Sequence, residues 1–208
     1  MPDRAEIAAQ ESFQTDTLQP LIEQAQQKKL HLFFMDAAHF VMLPFLGYVY
    51  SLVVRYLKRA SGRKRFNVLG ALHALSHDLV ILTNHETINA LSVCELLVHL
   101  AHRFGELPIV VILDNARYQK CTLVLDTARY LNIQLVFLPP YSPNLNLIER
   151  LWRFVKKEVL YNCYYNDYTK FCTAITGCLA QTRTTHHLAL QTLLTLNFQS
   201  FKNVTSHP

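Results

Sequence analysis

An α/β fold with a mixed sheet covered by helices on both faces is predicted for this chain, and three observations predict it. Half of the 208 residues are hydrophobic and only 17% are charged, below the roughly 25% of an average soluble domain, as suits a sheet buried on both sides. Two apolar runs, His31-Leu-Phe-Phe-Met-Asp36 and Pro108-Ile-Val-Val-Ile-Leu-Asp114, each close on an aspartate. Strand-like and helix-like stretches follow one another as a meander of strands, helix, strand, helix, strand, helix.

Residues 3–28 place Ile7, Phe13, Leu18, Leu21, Ile22 and Ala25 at the spacing of an amphipathic helix, which the Gln-Gln-Lys-Lys stretch at 26–29 ends. The first strand is expected over 30–36. Residues 48–54 and 65–72 are rich in β-branched and aromatic side chains and read as the next strands, and 79–82 continues the meander. Between them lies the densest basic cluster of the chain, Arg55, Lys58, Arg59, Arg63, Lys64 and Arg65. A helix is expected over 87–104 from Ile88, Leu91, Leu96 and Leu100, then a strand over 108–114, a helix over 116–131 and a strand over 133–138. Pro139 and Pro140 stop that last strand, since neither offers an N–H to a neighbour.

The loop 141–146 is rich in turn residues, with Ser142 or Asn144 expected to cap the next helix and Pro143 to fit its first turn. That helix carries Ile148, Trp152, Val155 and Val159 on one face and Glu149, Arg153, Lys156 and Lys157 on the adjoining one. A further helix spans about 167–182, and no assignment is made from Thr184 onward. The chain thus divides into an N-terminal helical extension (1–29), a core (30–162) and a C-terminal helical extension (163–208).

The formal charge of +5 and a pI near 9.0 favour a polyanionic partner without proving one. The five cysteines, Cys94, Cys121, Cys163, Cys172 and Cys178, are odd in number and form no C-x-x-C pair. They read as reduced, mostly buried thiols of a cytoplasmic protein. Cys172, Cys178, His186 and His187 do not match a usual zinc spacing. No signal peptide is expected, because the first thirty residues are polar and helix-forming. The one membrane candidate, residues 40–54, is too short to span and is interrupted by Pro44 and Gly47.

A strand that ends in a carboxylate sets that charge at the carboxyl edge of its sheet, where open α/β folds hold ligands. Asp36 and Asp114 are such acids, and Glu149 follows the second after 34 intervening residues. Three converging carboxylates cannot all stay ionised without a counter-ion, so a divalent metal is their natural partner. Oxygen-only ligands favour Mg²⁺ or Mn²⁺ over zinc. Each residue also has a purely structural alternative. The two aspartates can cap helices, Glu149 can pair with Arg153 one turn on, Trp152 falls on the core stripe, and His39 is better read as a core or surface histidine than as a metal neighbour. The basic cluster can be a solvated hairpin edge. Asp78, Glu86, Asp126 and Glu158 lack any motif context and read as solvated.

Three segments, Leu113-Asp-Asn115, Leu138-Pro-Pro-Tyr-Ser-Pro143 and Asn146-Leu-Ile-Glu-Arg-Leu-Trp152, together with the 34-residue interval, resemble the catalytic core of DDE transposases of the mariner-like superfamily, in particular its bacterial insertion-sequence branch. The resemblance covers about residues 30–160. It implies a ribonuclease-H-like fold with a mixed five-stranded sheet, so that 30–162 would be the DDE catalytic domain. It further implies that Asp36, Asp114 and Glu149 are the catalytic acids and ligands of two Mg²⁺ or Mn²⁺ ions, with Asp36 bridging and Asn115 orienting Asp114. The activity implied is metal-dependent cleavage and strand transfer of double-stranded DNA, at transposon ends and target, by a homo-oligomer. Arg55, Lys58, Arg59, Arg63, Lys64, Arg65, Arg150, Arg153, Lys156 and Lys157 are then expected to meet the DNA backbone.

Three positions depart from the family pattern. Ala37 stands where many relatives have Glu, Arg117-Tyr-Gln119 where many have a histidine, and Leu147 where proline is frequent. None removes a metal ligand. Residues 1–28 hold one helix and not a paired reading head, so recognition of transposon ends is expected to need a separate polypeptide or segment. The alternative is a non-enzymatic DNA-binding or assembly remnant of a transposase, against which the intact acid triad argues.

Overall fold

The computed structural model describes residues 7–42, 64–161 and 163–198. The elements, in order, are α1 (Ile7–Phe13), a π turn (Gln14–Leu18), α2 (Gln19–Gln26), β1 (His31–Val41), β2 (Arg65–His73), β3 (Leu79–Asn84), α3 (Ala90–Phe104), β4 (Ile109–Leu113), α4 (Thr122–Tyr130), β5 (Ile133–Phe137), α5 (Ile148–Val159), α6 (Tyr168–Ala180) and α7 (His187–Leu193). The sheet order is β3-β2-β1-β4-β5. β1 pairs antiparallel with β2 and parallel with β4, so the meander and the crossover half meet on it. The residues read as a strand at 48–54, and most of the membrane-like run 40–54, lie outside the described residues. Among the described residues no helix is long and apolar enough to cross a membrane.

Strand pleating divides the core in two. On one face Leu32, Phe34, Ala38 and Phe40 of β1 and Val110 and Ile112 of β4 pack against α2, α5, α6 and α7. On the other, Phe33, Met35, Val111 and Leu113 pack against α3 and α4. The helices therefore cover both faces, as the alternation of elements predicts. Residues from near both ends of the chain join the first cluster, Leu18, Leu21 and Ile22 from one and Leu190, Leu194 and Phe198 from the other.

β1 does not stop at Asp36. It runs five residues further, because β2 continues to pair with it as far as Val41↔Arg65 while β4 leaves it after Met35↔Leu113. Asp36 therefore sits inside a strand but just beyond the end of its parallel neighbour. The expected cap of α5 also differs. Ser142 opens a 3-10 turn at Pro143–Leu145, and α5 starts later, at Ile148, without a side-chain cap. Leu145, Leu147 and Ile148 are fully buried, so apolar packing fixes this entry in place of a capping bond. Other ends follow sequence chemistry: α3 opens on a reciprocal Asn89–Ser92 capping box, and Asp167 caps α6 through the Thr169 N–H at 2.8 Å. α5 is anchored by Ile148, Leu151, Trp152 and Val155, each at most 1% exposed. At about 1.5–3 kcal/mol per buried side chain, such docking holds the first turn of α5 firmly against β1.

Candidate active site

Asp36, Gly70 and Asp114 share the α5 side of the sheet. Asp36 is paired with Gly70 on β2, and Asp114 follows the last residue of β4 directly. Glu149 enters from above, in the first turn of α5. The backbone N–H of Glu149 donates to the carbonyl of Asn146 at 3.2 Å.

The electrostatics of the three acids show that they share one neighbourhood. Burial pushes Asp36 up to about 8, and the charges of Glu149 and then Asp114 push the same way, against hydrogen bonds from the Ala37 N–H and the Trp152 indole. Glu149 is raised by burial and by Asp114, while Lys156, Arg153 and a hydrogen bond with Asp36 oppose the rise. Asp114 is raised by burial, with the Asn146 amide pulling the other way. Like charges in a desolvated site favour protonation. The alternative Glu149–Arg153 ion pair is not formed, since the ion pairs among the described residues are Arg103–Asp78, Arg129–Asp126 and Arg183–Asp78.

Three side chains around the acids were not singled out for this role by sequence. Trp152, read as core packing, is indeed 1% exposed, but its indole N–H also donates to Asp36 Oδ2 at 3.1 Å. Gly70 makes room for that ring: a Cβ there would lie 2.8 Å from Trp152 Cη2. Asn146, fully buried, directs its amide at the Met35 carbonyl (3.4 Å) and at Asp114 Oδ1 (3.5 Å). Tyr118, in the turn after β4, has its phenol raised by burial and by the nearby Asp36 and Asp114. A polar residue inside the apolar run 145–148, and a tryptophan on a core stripe whose N–H must find an acceptor, were the signals available.

Other expected residues are placed differently. Asn115 does not bond the Asp114 carboxylate; its amide donates to the Leu138 carbonyl, tying the loop after β4 to the end of β5. Arg150, expected among the DNA-facing bases, instead turns its guanidinium onto the C-terminal segment. It donates to the carbonyls of Thr195 (2.6 Å) and Asn197 (2.8 Å) and lies over the Phe198 ring. Arg153 and Lys157 are exposed on α5, and Lys156 is half-buried beside them. Lys64 and Arg65 are exposed at the start of β2. Arg55, Lys58, Arg59 and Arg63 lie outside the described residues. His39 points to the opposite face from Asp36 and bonds Asn67 Oδ1 at 2.7 Å. Asp78 is not solvated; it receives Arg103 and Arg183 together. Among the five free cysteines only Cys178 is fully buried.

Among the described residues no group of three or more His, Cys, Asp and Glu side chains is set to hold a metal ion as it stands. The donor chemistry nevertheless fits a hard divalent cation. Three carboxylates are gathered here, burial raises all three in pKa and like charge adds to the rise at Asp36 and Glu149, and Asn146 Oδ1 is buried with no donor facing it among the described residues. Oxygen donors of this kind suit Mg²⁺ or Mn²⁺.

Comparison with known proteins agrees with this architecture. A family model described as DDE superfamily endonuclease matches residues 31–172. The chain superposes on the Mos1 mariner paired-end complex with Mn at a TM-score of 0.63 and 15% identity, over 97% of this chain and 66% of that one. The Mos1 strand transfer complex gives 0.61 and 15%, over 93% and 61%. These likenesses identify the five-stranded sheet and its helices as ribonuclease-H-like. The chain thus spans less than two thirds of the length of those two mariner chains. An uncharacterized protein of Sinorhizobium fredii (strain NBRC 101917 / NGR234) is 45% identical over 42 residues, 20% of this chain and 31% of that protein.

Proposed function

This chain belongs to the DDE superfamily endonucleases, and from that membership we propose that it is the catalytic domain of a transposase, cutting DNA strands and joining a freed 3′ hydroxyl to a target. The observation that carries the reading is that Asp36 on β1, Asp114 after β4 and Glu149 on α5 lie near enough for their charges to act on one another, while none of them forms an ion pair among the described residues. These three are the proposed catalytic acids and ligands of a divalent cation, two ions in the finer form of the proposal. Mg²⁺ or Mn²⁺ bound there supplies the positive charge that phosphodiester cleavage needs on the attacking and leaving oxygens.

The remaining work falls to the chain itself. Partial burial limits the water around Asp36, and α5 brings Glu149 toward it. Arg153, Lys156 and Lys157, on the same helix as Glu149, are proposed to meet the phosphates of double-stranded DNA. Lys64 and Arg65 extend that basic surface, with Arg55, Lys58, Arg59 and Arg63 preceding them in sequence. Asn115 acts on the site indirectly, by fixing the loop that carries Asp114. α1 and α2 run on through a π turn with helical backbone angles at the junctions, which supports the proposal that recognition of transposon ends lies in another segment or polypeptide. A homo-oligomeric assembly on DNA, a cytoplasmic location and the division into helical extensions around a core at 30–162 belong to the same reading.

The test is incubation of the purified chain with supercoiled duplex DNA and Mg²⁺ or Mn²⁺, scored for nicked product. Nicking is expected, and Asp114→Asn should reduce it on the order of 10³-fold or more, the scale of losing transition-state charge stabilisation. Full activity in folded Asp114→Asn would end the proposal.

A further inference from the structure

Like charges on Asp36, Asp114 and Glu149 push these acids apart. Something other than charge must set their spacing. Two buried side-chain donors are aimed at them, one from the segment leading into α5 and one from α5 itself. The Trp152 indole N–H lies 3.1 Å from Asp36 Oδ2. The Asn146 amide lies 3.5 Å from Asp114 Oδ1 and 3.4 Å from the carbonyl of Met35, the residue before Asp36. Both donors are at most 1% exposed, so neither has water as an alternative partner, and an unmade bond would carry the full desolvation cost. The Asn146 backbone carbonyl also receives the Glu149 N–H. One residue therefore touches the supports of all three acids.

The seat for Trp152 is cut into the sheet by Gly70, whose missing side chain is the space the ring occupies. A carboxylate at the centre of a strand faces the indole only because this position carries no Cβ.

We infer that Asn146 and Trp152 are positioning residues, a buried pair of donors that fixes Asp114 and Asp36 relative to each other and so preorganises the acids for a divalent cation. The inference rests on the metal-binding reading of the acids given above. Each donor satisfies one carboxylate oxygen, and the acid is held in one rotamer before a cation arrives. Outer partners of metal ligands typically carry a 10–100-fold effect on metal affinity, and that is the scale expected here.

The experiment is a calorimetric titration of Mn²⁺ onto the full chain, as wild type, Asn146→Ala and Trp152→Phe. Each variant should bind Mn²⁺ roughly 10–100-fold more weakly, while a purely structural role would lower the melting temperature and leave that affinity unchanged. Trp152 is the one tryptophan of the chain, which provides a readout that needs no variant. Mg²⁺, which does not itself quench, should shift its emission with the same midpoint as a calorimetric titration of Mg²⁺. Wild-type affinity in both folded variants would overturn the inference, as would Mg²⁺ binding that leaves the Trp152 emission unmoved. Wild type that binds neither ion would overturn the metal-binding reading itself, and this inference with it. Should a variant not fold, the wild-type emission titration decides.

Discussion

Asp78 and Asp36 are both partly buried acids at the margin of one sheet, and the chain treats them in opposite ways. Asp78, just before β3, receives a guanidinium from the last turn of α3 and another from the segment after α6, together with the Ser76 hydroxyl at 2.6 Å. Its charge is answered inside the protein, and the two arginines clamp helices from both faces of the sheet to one strand end. Asp36 meets Asp114 and shares a hydrogen bond with Glu149, and the other bonds that reach it come from neutral donors, the Trp152 indole and the Ala37 N–H. Neutral donors fix a carboxylate in place without neutralising it. The first arrangement stabilises the fold; the second, on the metal-binding reading proposed above, leaves the acids to a cation from solution.

The largest effect that sharpens this contrast is on stability without metal, where the two acids should respond with opposite signs. Asp78→Ala strands two half-exposed arginines and should cost about 1–2 kcal/mol, a fall of roughly 2–8 °C in melting temperature, with Mn²⁺ affinity unchanged. Above pH 8, where Asp36 is ionised, Asp36→Asn removes a repelling charge while keeping an oxygen for the indole. It should raise the melting temperature of the cation-free chain by a few degrees, on the order of 1 kcal/mol. Equal losses in both variants, followed by thermal unfolding in EDTA, would erase the distinction.

A smaller effect is the pH dependence. Asp36 has a folded pKa of about 8, above its ordinary value of 3.8. Its contribution is therefore fully present below the unfolded value and is lost as pH rises through 8. The cation-free chain should melt lower at pH 8.5 than at pH 6, by roughly 2–4 °C for each kcal/mol lost, and Mg²⁺ should restore the difference. At the other end of β1, burial and the neighbouring His31 press His73 down to about 4. That group stabilises above its unfolded value near 6.5, and its contribution is lost as pH falls toward 4. Melting curves in EDTA should thus be level between about pH 4 and 6.5, where the two slopes offset, and fall from there toward pH 8. A profile flat from 6 to 9 would argue that the acids are not held together.

Much of this is legible in the sequence. The strand and helix order follows from apolar periodicity, and the interval from Asp114 to Glu149 is read straight from the chain. What sequence could not supply was partnership. The extension of β1 past Asp36 is decided by β2, a strand 24 residues further along. Arg150 looks like its neighbours on α5 until the C-terminal segment folds over it. Trp152 sits on the apolar stripe of its helix, and its bond to Asp36 depends on a glycine 82 positions earlier. Asn146 was more accessible, since a lone amide within a buried Leu145–Ile148 run needs partners, but which partners only the fold decides.

The central claim is that Asp36, Asp114 and Glu149 form one seat for divalent metal, and Mn²⁺ binding measured by electron paramagnetic resonance tests it most directly. Titration should reveal saturable binding of two ions by the wild-type chain, with free Mn²⁺ signal suppressed until both sites fill. In the folded double variant Asp114→Asn/Glu149→Gln that saturable phase should vanish. Wild type whose signal tracks buffer alone, or a double variant that binds as wild type does, would contradict it.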